Sequence, residues 1–426
     1  MKNISRDKLI FFGGSLAVFG IVQLAISFGL LNDFWNTILR LGSVMAIVSL
    51  GLNLIYGFNG QFSLGQWGFY AIGAYTAADI TYRWTNDQDA TALAIVLIGV
   101  LAVGAAVLYL RSVLSRVRGL DALSAFTLYL TATLVLGALA VFAGGLIGGP
   151  LTALLNVLPE AVSLQIVYVL AVICAGLFAA EVSFLFGLPV LTLGSDYFGI
   201  ATLGFTIIVK VLLDNSDKML GFEEMKGARG MIGIPKVTTW FWVFLFLFLV
   251  LVVMRNLLHS SYGRAIVSVR EDEIAAKAMG VDVAEYKIVA FVIGSLFAGL
   301  AGGLYAHING FLHPNTFNFI KSFDPLIIIV LGGLGGMTGT VGASFAWAIL
   351  LEGVLRLVLP QGFETWRFVV YPIILLLVML LRPKGLVGEY EVPFLARVLP
   401  PLRSKLSANQ AAVTPPNQPT SQEALK

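Results

Sequence analysis

The chain has 426 residues, of which 58% are hydrophobic and 12% are charged, and its formal net charge is +3. About a quarter of the residues in an ordinary soluble domain are charged, so this composition excludes a soluble globular protein and predicts a multi-pass membrane protein. The small net charge does not indicate nucleic-acid binding, and the three histidines share no metal-ligand spacing.

Apolar runs recur along the chain and predict an all-α fold, a polytopic transmembrane helical bundle of about ten to twelve membrane segments. Several runs are shorter than the ~20 residues that a straight crossing needs, so we expect some broken or re-entrant helices. We predict a transmembrane domain over 1–388 and a largely disordered tail over 389–426, whose end is rich in Pro, Ser, Gln and Ala. The candidate segments are 9–31, 38–56, 66–82, 91–111, 122–144, 162–186, 197–213, 238–258, 286–308, 324–340, 341–359 and 366–382.

Basic residues predict the orientation of these segments. Arg and Lys cluster in 111–118, 255–277 and 382–405. If the N-terminus is inside, all three clusters fall on the cytoplasmic side, as the positive-inside rule requires. We therefore predict an even number of crossings, with both chain ends in the cytoplasm.

A polar, glycine-rich stretch, "GFNGQFSLGQW", begins at Gly57 between two apolar runs. Non-helical backbone at membrane depth is tolerated only where protein or a water-filled path surrounds it. We predict a polar break over 57–66, with the next helix beginning near Gly65. The uncharged side chains of the break are expected either to line a translocation path or to stitch the loop together, and the sequence leaves both roles open. They are Asn59, Gln61, Ser63 and Gln66.

A second glycine-rich stretch, "GGLGGMTGTVG", covers 332–342. It lacks the lysine of a phosphate-binding P-loop and the third glycine of a dinucleotide-binding loop, so we predict no nucleotide site. Corresponding breaks in two halves of a chain point to the central path of a transporter. We therefore predict that Gly332 and Gly335 lie on the same path as the first stretch, although glycines at such spacing also allow close helix packing.

The polar segment 259–287 contains "REDEIAAKAMG", which predicts a short helix on the cytoplasmic face. Its acidic residues come early and its lysine late, which suits the helix dipole, and a glycine ends it. Such a helix is suited to the groove of a partner protein, and the alternative is a solvated linker helix. The predicted partner-contact residues are Arg270, Glu271, Asp272, Glu273, Ala275, Ala276 and Gly280.

The spacing of Ala275, Ala276 and Gly280 resembles the "EAA…G" coupling loop of bacterial ABC importer permeases, although Ile274 stands where that motif has its first Glu. The longer segment 263–307 is similar to the LivM-type permeases of branched-chain amino acid ABC transporters. Further blocks of this resemblance occur in the same order as in that family, at 51–78, 196–205, 326–343 and 382–388.

This resemblance implies a permease of the bacterial inner membrane that imports branched-chain or other neutral amino acids. It also implies several partners, namely a second, LivH-type permease, two ATPase subunits and a periplasmic substrate-binding protein. ATP would be used by the partners, so this chain is expected to bind no cofactor and to be no enzyme. Two alternatives remain, a permease of the same family for urea or short amides and a secondary carrier that acts alone.

Overall fold

A computed structural model describes residues 2–114, 122–191, 195–219 and 225–358, together with isolated positions between 373 and 395. Within these residues the chain is almost entirely helical, which confirms the expected all-α class. The helices are α1 (Lys2–Ser27), α2 (Asp33–Leu52), α3 (Gln66–Asp87), α4 (Thr91–Leu114), α5 (Ala122–Asn156), α6 (Glu160–Val190), α7 (Ser195–Asp214), α8 (Ser216–Met219), α9 (Trp240–His259), α10 (Ser261–Glu271), α11 (Glu273–Ala278), α12 (Val283–Asn309), α13 (Phe323–Gly332), α14 (Met337–Trp347) and α15 (Leu355–Val358).

Shorter elements join or extend these helices. Two π-helical turns continue α2 and α14, at Asn53–Phe58 and Ala348–Val354, and the only β-structure in the described residues is one antiparallel pair of two-residue strands. Those strands are β1 (Met231–Ile232) and β2 (Phe311–Leu312). The 3₁₀ turns are Gly227–Arg229, Pro314–Phe317 and Phe319–Ser322.

Eight helices of the described chain are long and apolar enough to cross a membrane, which confirms a multi-pass bundle. The apolar part of α1 is shorter, and α13 has only 10 residues, the length of a half-crossing. The predicted last segment, 366–382, lies largely outside the described residues. The eight segments are Asp33–Phe58, Thr91–Ser112, Ser124–Asn156, Glu160–Val190, Tyr197–Asp214, Trp240–His259, Val283–Asn309 and Met337–Leu357.

The bundle has a buried centre and an apolar outer layer. Helices α2, α3, α6 and α12 pack around one core, and 83% of the apolar window of Asp33–Phe58 is buried. The windows of α4 and α5 are only 22% and 11% buried, respectively. Because their exposed residues are apolar, these two helices are suited to contact lipid.

Glycines allow α3 and α12 to touch backbone to backbone. A Cβ atom on Gly302 would lie 2.0 Å from the carbonyl oxygen of Tyr70, and one on Gly73 would lie 2.2 Å from the carbonyl oxygen of Gly299. Both distances are far below any van der Waals contact, so only glycine fits at these two positions. Small residues at helix interfaces permit this close approach in membranes.

We expect Gly302→Val to destabilise the folded chain by about 3 kcal/mol or more, because both helices would have to separate. Gly342→Val is the matched control, since it changes another helical glycine with nothing within 4 Å of its Cβ position. The comparison is thermal unfolding of the two purified variants in detergent. Equal unfolding temperatures would contradict the proposed role of the backbone contact.

Part of the predicted tail contacts the bundle. The carboxylate of Glu391 accepts hydrogen bonds from the backbone N–H groups of Met337 and Thr338, the latter at 3.1 Å, and thereby caps α14. Leu395 is also buried. Most of 389–426 lies outside the described residues, so the predicted disorder of the tail remains a prediction.

Removing this cap with Glu391→Ala is expected to cost about 1 kcal/mol of stability, because the first N–H groups of a helix have no intrahelical acceptor. Glu391→Gln keeps one carbonyl oxygen and should lose less. Thermal unfolding of the two variants beside the wild type measures the difference. If the alanine variant unfolds at the wild-type temperature, this contact does not stabilise α14.

Candidate functional site

The predicted polar break is a connection between two full-length helices. The first, α2 with its π-helical turn, covers the 26 residues of Asp33–Phe58, and α3 has 22 residues. Gly65 is the N-cap residue of α3, which confirms the predicted start of that helix. The polar residues marked the break correctly, but the sequence did not reveal that both neighbouring helices are long enough to span.

The residues between these helices, 59–65, form the polar loop, which is largely buried and has most of its backbone N–H groups paired. The N–H groups of Gly60 and Gln61 bond to carbonyls of the π-helical turn at 3.1 and 3.0 Å. On the other side, the Leu64 N–H donates to the hydroxyl of Thr202 at 3.0 Å, and the Thr206 hydroxyl donates to the Leu64 carbonyl at 3.2 Å. Helix α7 therefore supplies the partners that allow this non-helical segment to be buried.

The four predicted polar side chains fall into two groups. The Ser63 hydroxyl accepts a hydrogen bond from the Gly65 N–H at 3.3 Å, so Ser63 stitches the loop. Both amide atoms of Asn59 and of Gln66, and the Oε1 atom of Gln61, have no hydrogen-bond partner among the described residues, although these side chains are at most 5% exposed. A buried amide without a partner costs about 1–3 kcal/mol, so these three side chains are candidates for contact with a bound molecule or with water.

The two glycine-rich stretches meet at Asn53, a residue that we did not select from the sequence. Its side-chain nitrogen donates to the Gly336 carbonyl and the Thr340 hydroxyl, and its oxygen accepts from the Gly335 N–H, all at 2.9 Å. A Cβ atom on Gly57 would lie 2.6 Å from that Gly335 nitrogen. The sequence feature that could have identified Asn53 is its carboxamide inside the apolar run 38–56, because a polar side chain within a membrane helix is costly unless it has a structural or functional role.

Gly332 and Gly335 have different surroundings. A Cβ atom on Gly332 would lie 2.4 Å from the Gly339 carbonyl oxygen, so Gly332 serves the close packing of α13 against α14. Gly335 has a φ of +79° and lies beside Gly57. Only Gly335 therefore adjoins the polar loop, and its role on a translocation path remains a prediction.

The predicted helix in 259–287 is two helices, which corrects its predicted start at Arg270. Helix α10 ends at Glu271, and Asp272 caps α11 by accepting hydrogen bonds from the N–H groups of Ile274 and Ala275 at 2.8 and 3.0 Å. Arg270 and Glu271 thus belong to the preceding helix. The reason is that an aspartate side chain competes for backbone N–H groups and favours a helix start over a helix interior.

The predicted end of this segment is confirmed. Gly280 has a φ of +83°, a conformation that favours glycine, and the Val281 N–H bonds back to the Ala276 carbonyl at 3.0 Å. Glu273 forms an ion pair with Lys287, which ties α11 to α12. The short helix is therefore held in a defined position.

Two large apolar side chains of α11 and its C-cap project from the bundle. Ile274 is 83% exposed and Met279 is 84% exposed, whereas Ala276 is buried. The predicted contact residues Glu273 and Ala275 are exposed beside them. Exposed apolar groups on a helix capped at both ends are typical of a docking surface. The sequence analysis did not select Ile274 and Met279, because the motif that it recognised consists of the alanines and the glycine.

The end of α10 contacts the polar loop directly. The Nη1 atom of Arg270 donates to the carbonyl oxygen of Gly57 at 2.5 Å, and a Cβ atom on Gly60 would lie 3.3 Å from the Arg270 Cγ. Helix α11, which follows Arg270 in the chain, therefore lies at the same end of the bundle as the polar loop and the second glycine-rich stretch. Among the described residues, no group of three or more His, Cys, Asp or Glu could hold a metal ion.

Comparison with known proteins assigns most of the chain to one family. The model of the branched-chain amino acid transport system / permease component family matches residues 34–379, which include the polar loop, the second glycine-rich stretch and α11. No solved structure matches the chain.

Three relatives illustrate the extent of the similarity. The high-affinity branched-chain amino acid transport system permease protein LivM of Escherichia coli K12 is 32% identical over 249 residues, 50% of this chain and 55% of the relative. A probable LivM of Methanocaldococcus jannaschii is 25% identical over 260 residues, 56% and 72% of the two chains. The LivH permease of Salmonella typhimurium is 30% identical over 135 residues, 32% and 42% of the two chains. The chain spans about half the length of the LivM relative from Escherichia coli.

Proposed function

Because the chain belongs to the branched-chain amino acid transport permease family, we propose that it is the membrane-spanning permease subunit of an ATP-driven importer. Its cargo is a branched-chain or other neutral amino acid, which it passes into the cytoplasm. The observation that carries this proposal is the set of buried polar side chains without a partner among the described residues, namely both amide atoms of Asn59 and Gln66 and the Oε1 atom of Gln61.

The three amides suit an amino acid in transit. An amino acid is a zwitterion, and an amide offers a donor and an acceptor to its carboxylate and ammonium groups without a full opposite charge. A site of full charges would hold the substrate tightly, whereas a translocation path must release it. The hydrogen bonds that these side chains lack among the described residues would be made with each passing substrate.

In this proposal α11 docks on an ATPase subunit. Ile274 and Met279 would enter an apolar groove on that partner, because an amphipathic helix binds by placing its apolar side chains in such a groove. The complete importer then contains two ATPase subunits, a LivH-type second permease and a periplasmic substrate-binding protein. ATP is bound by the ATPase subunits only, the membrane is the bacterial inner membrane, and both ends of this chain are cytoplasmic.

Reconstitution tests the proposal. The complex, purified through a tag on this chain, is placed in proteoliposomes with and without enclosed ATP, and uptake of labelled leucine and labelled urea is measured. We expect leucine uptake that requires ATP and the ATPase subunits. Uptake by the chain alone would indicate a secondary carrier, and ATP-driven uptake of urea without leucine would indicate an amide permease.

A further inference from the structure

Arg270 joins two parts of the molecule that lie 213 residues apart in the chain. It stands on the last turn of α10, two residues before the Asp272 cap of α11. Its guanidinium donates to the Gly57 carbonyl, as described above, and the Cβ position of Gly60 lies 3.5 Å from the Arg270 Cα. The helix backbone and the side chain of Arg270 therefore both contact the beginning of the polar loop.

The acceptor in this contact is a helix-end carbonyl. Gly57 is the penultimate residue of the π-helical turn, and the last carbonyls of a helix have no donor within the helix. The Arg270 guanidinium supplies that donor with a positive charge, which also suits the negative end of the helix dipole. A planar guanidinium with several donors holds this geometry better than the ammonium of lysine.

Gly57 also lies against the second glycine-rich stretch. Its Cβ position is 2.6 Å from the nitrogen of Gly335, so the two backbones are in direct contact. Asn59, whose two amide atoms have no partner among the described residues, and Gln61, whose Oε1 atom has none, follow Gly57 closely in the chain. If Arg270 moves, its side chain therefore displaces the Gly57 backbone, which in turn contacts the Gly335 backbone. The Arg270 side chain is the only flexible side chain in this series of contacts.

We propose that Arg270 is the positioning residue that couples α11 to the polar loop, so that movement of α11 carries the Gly57 carbonyl and reorients the amides of Asn59 and Gln61. This inference rests on the proposed function, because it assigns to the ATPase-docking helix a specific route to the substrate path. Arg270 is also exposed on α10, so its predicted contact with a partner stays a prediction beside this coupling role.

The test compares transport with ATP hydrolysis in the reconstituted complex. Arg270→Met removes the donor and keeps the apolar stem. Arg264→Met is the matched control on the same helix, since the Arg264 guanidinium donates to the carbonyl of His259, only five residues earlier in the chain. We expect Arg270→Met to retain its ATPase subunits and ATP hydrolysis but to import at least ~10-fold fewer leucine molecules per ATP, as the loss of a charge-assisted hydrogen bond allows. Arg264→Met should keep the wild-type ratio.

Each outcome decides between alternatives. An unchanged ratio in Arg270→Met would overturn the inference, and so would loss of the ATPase subunits, because Arg270 would then be a docking contact. If Arg270→Met does not fold, Arg270→Lys replaces it. A number of leucine molecules imported per ATP that is below the wild-type value then supports the coupling role, whereas the wild-type value overturns it. If the wild-type complex shows no ATP-driven uptake at all, the proposed function fails and this inference fails with it.

Discussion

Replacing Asn59 with leucine and Gln66 with methionine is expected to slow ATP-driven leucine uptake about tenfold or more while leaving the chain at least as stable as the wild type. Both amide atoms of each residue are buried without a partner among the described residues. Replacing such a group by an apolar side chain of similar shape removes its desolvation cost, so stability should be unchanged or slightly higher. The same change removes the groups that would bind the zwitterion, and two lost hydrogen bonds correspond to about tenfold slower uptake or more.

The measurements are the unfolding temperature of the purified double variant and its initial uptake rate in proteoliposomes. Ser63→Ala is the matched control from the same loop, because the Ser63 hydroxyl is bonded to the Gly65 N–H. It should lose about 1 kcal/mol of stability and retain uptake. If the double variant instead unfolds earlier and still transports, the amides stabilise the loop and do not line a path.

Placing aspartates at Ile274 and Met279 is expected to release the ATPase subunits and to stop uptake without unfolding the chain. Both side chains are more than four-fifths exposed, so a charge there has no unfavourable contact within the bundle. In the docked complex the same charges would be buried in an apolar groove. Losing an interface anchor of this kind costs about 2 kcal/mol or more, which weakens binding ~30-fold or more.

The measurement is co-purification of the ATPase subunits with the tagged chain, together with uptake by the recovered material. Val157→Asp is the control, since Val157 is 82% exposed but lies between α5 and α6, away from α11. We expect it to keep both the ATPase subunits and transport. Full recovery of an active complex from the Ile274/Met279 variant would show that another surface binds the ATPase.

The sequence predicted the features that depend on local chemistry. The all-α class and the multi-pass bundle followed from apolar composition, because hydrocarbon leaves helices as the simplest way to pair every backbone group. The start of α3 just after Gly65 and the end of α11 just before Gly280 followed from the glycines, and the positive φ of Gly280 is a conformation that glycine adopts without strain. The family resemblance likewise depended on short blocks of residues.

Features that depend on distant residues required the tertiary structure. Ser63 and Asn59 are equally polar in the sequence, and only the position of their neighbours shows that one is bonded and the other is not. The hydrogen bonds of Asn53 and Arg270 also required the tertiary structure, because their partners lie more than 200 positions away along the chain.

The sequence by itself therefore determined that this protein is a multi-pass helical bundle, where two polar glycine-rich stretches interrupt its apolar runs and where a short polar helix lies between them. It did not determine the individual spans, because the predicted segment 324–340 joins two helices that the structure separates. The tertiary structure decided that these stretches touch each other, that Arg270 connects them to the projecting helix and which amides lack a partner. The physical reason is that helix propensity and hydrophobicity belong to single residues and their near neighbours, whereas the pairing of a buried polar group depends on which distant segment packs against it.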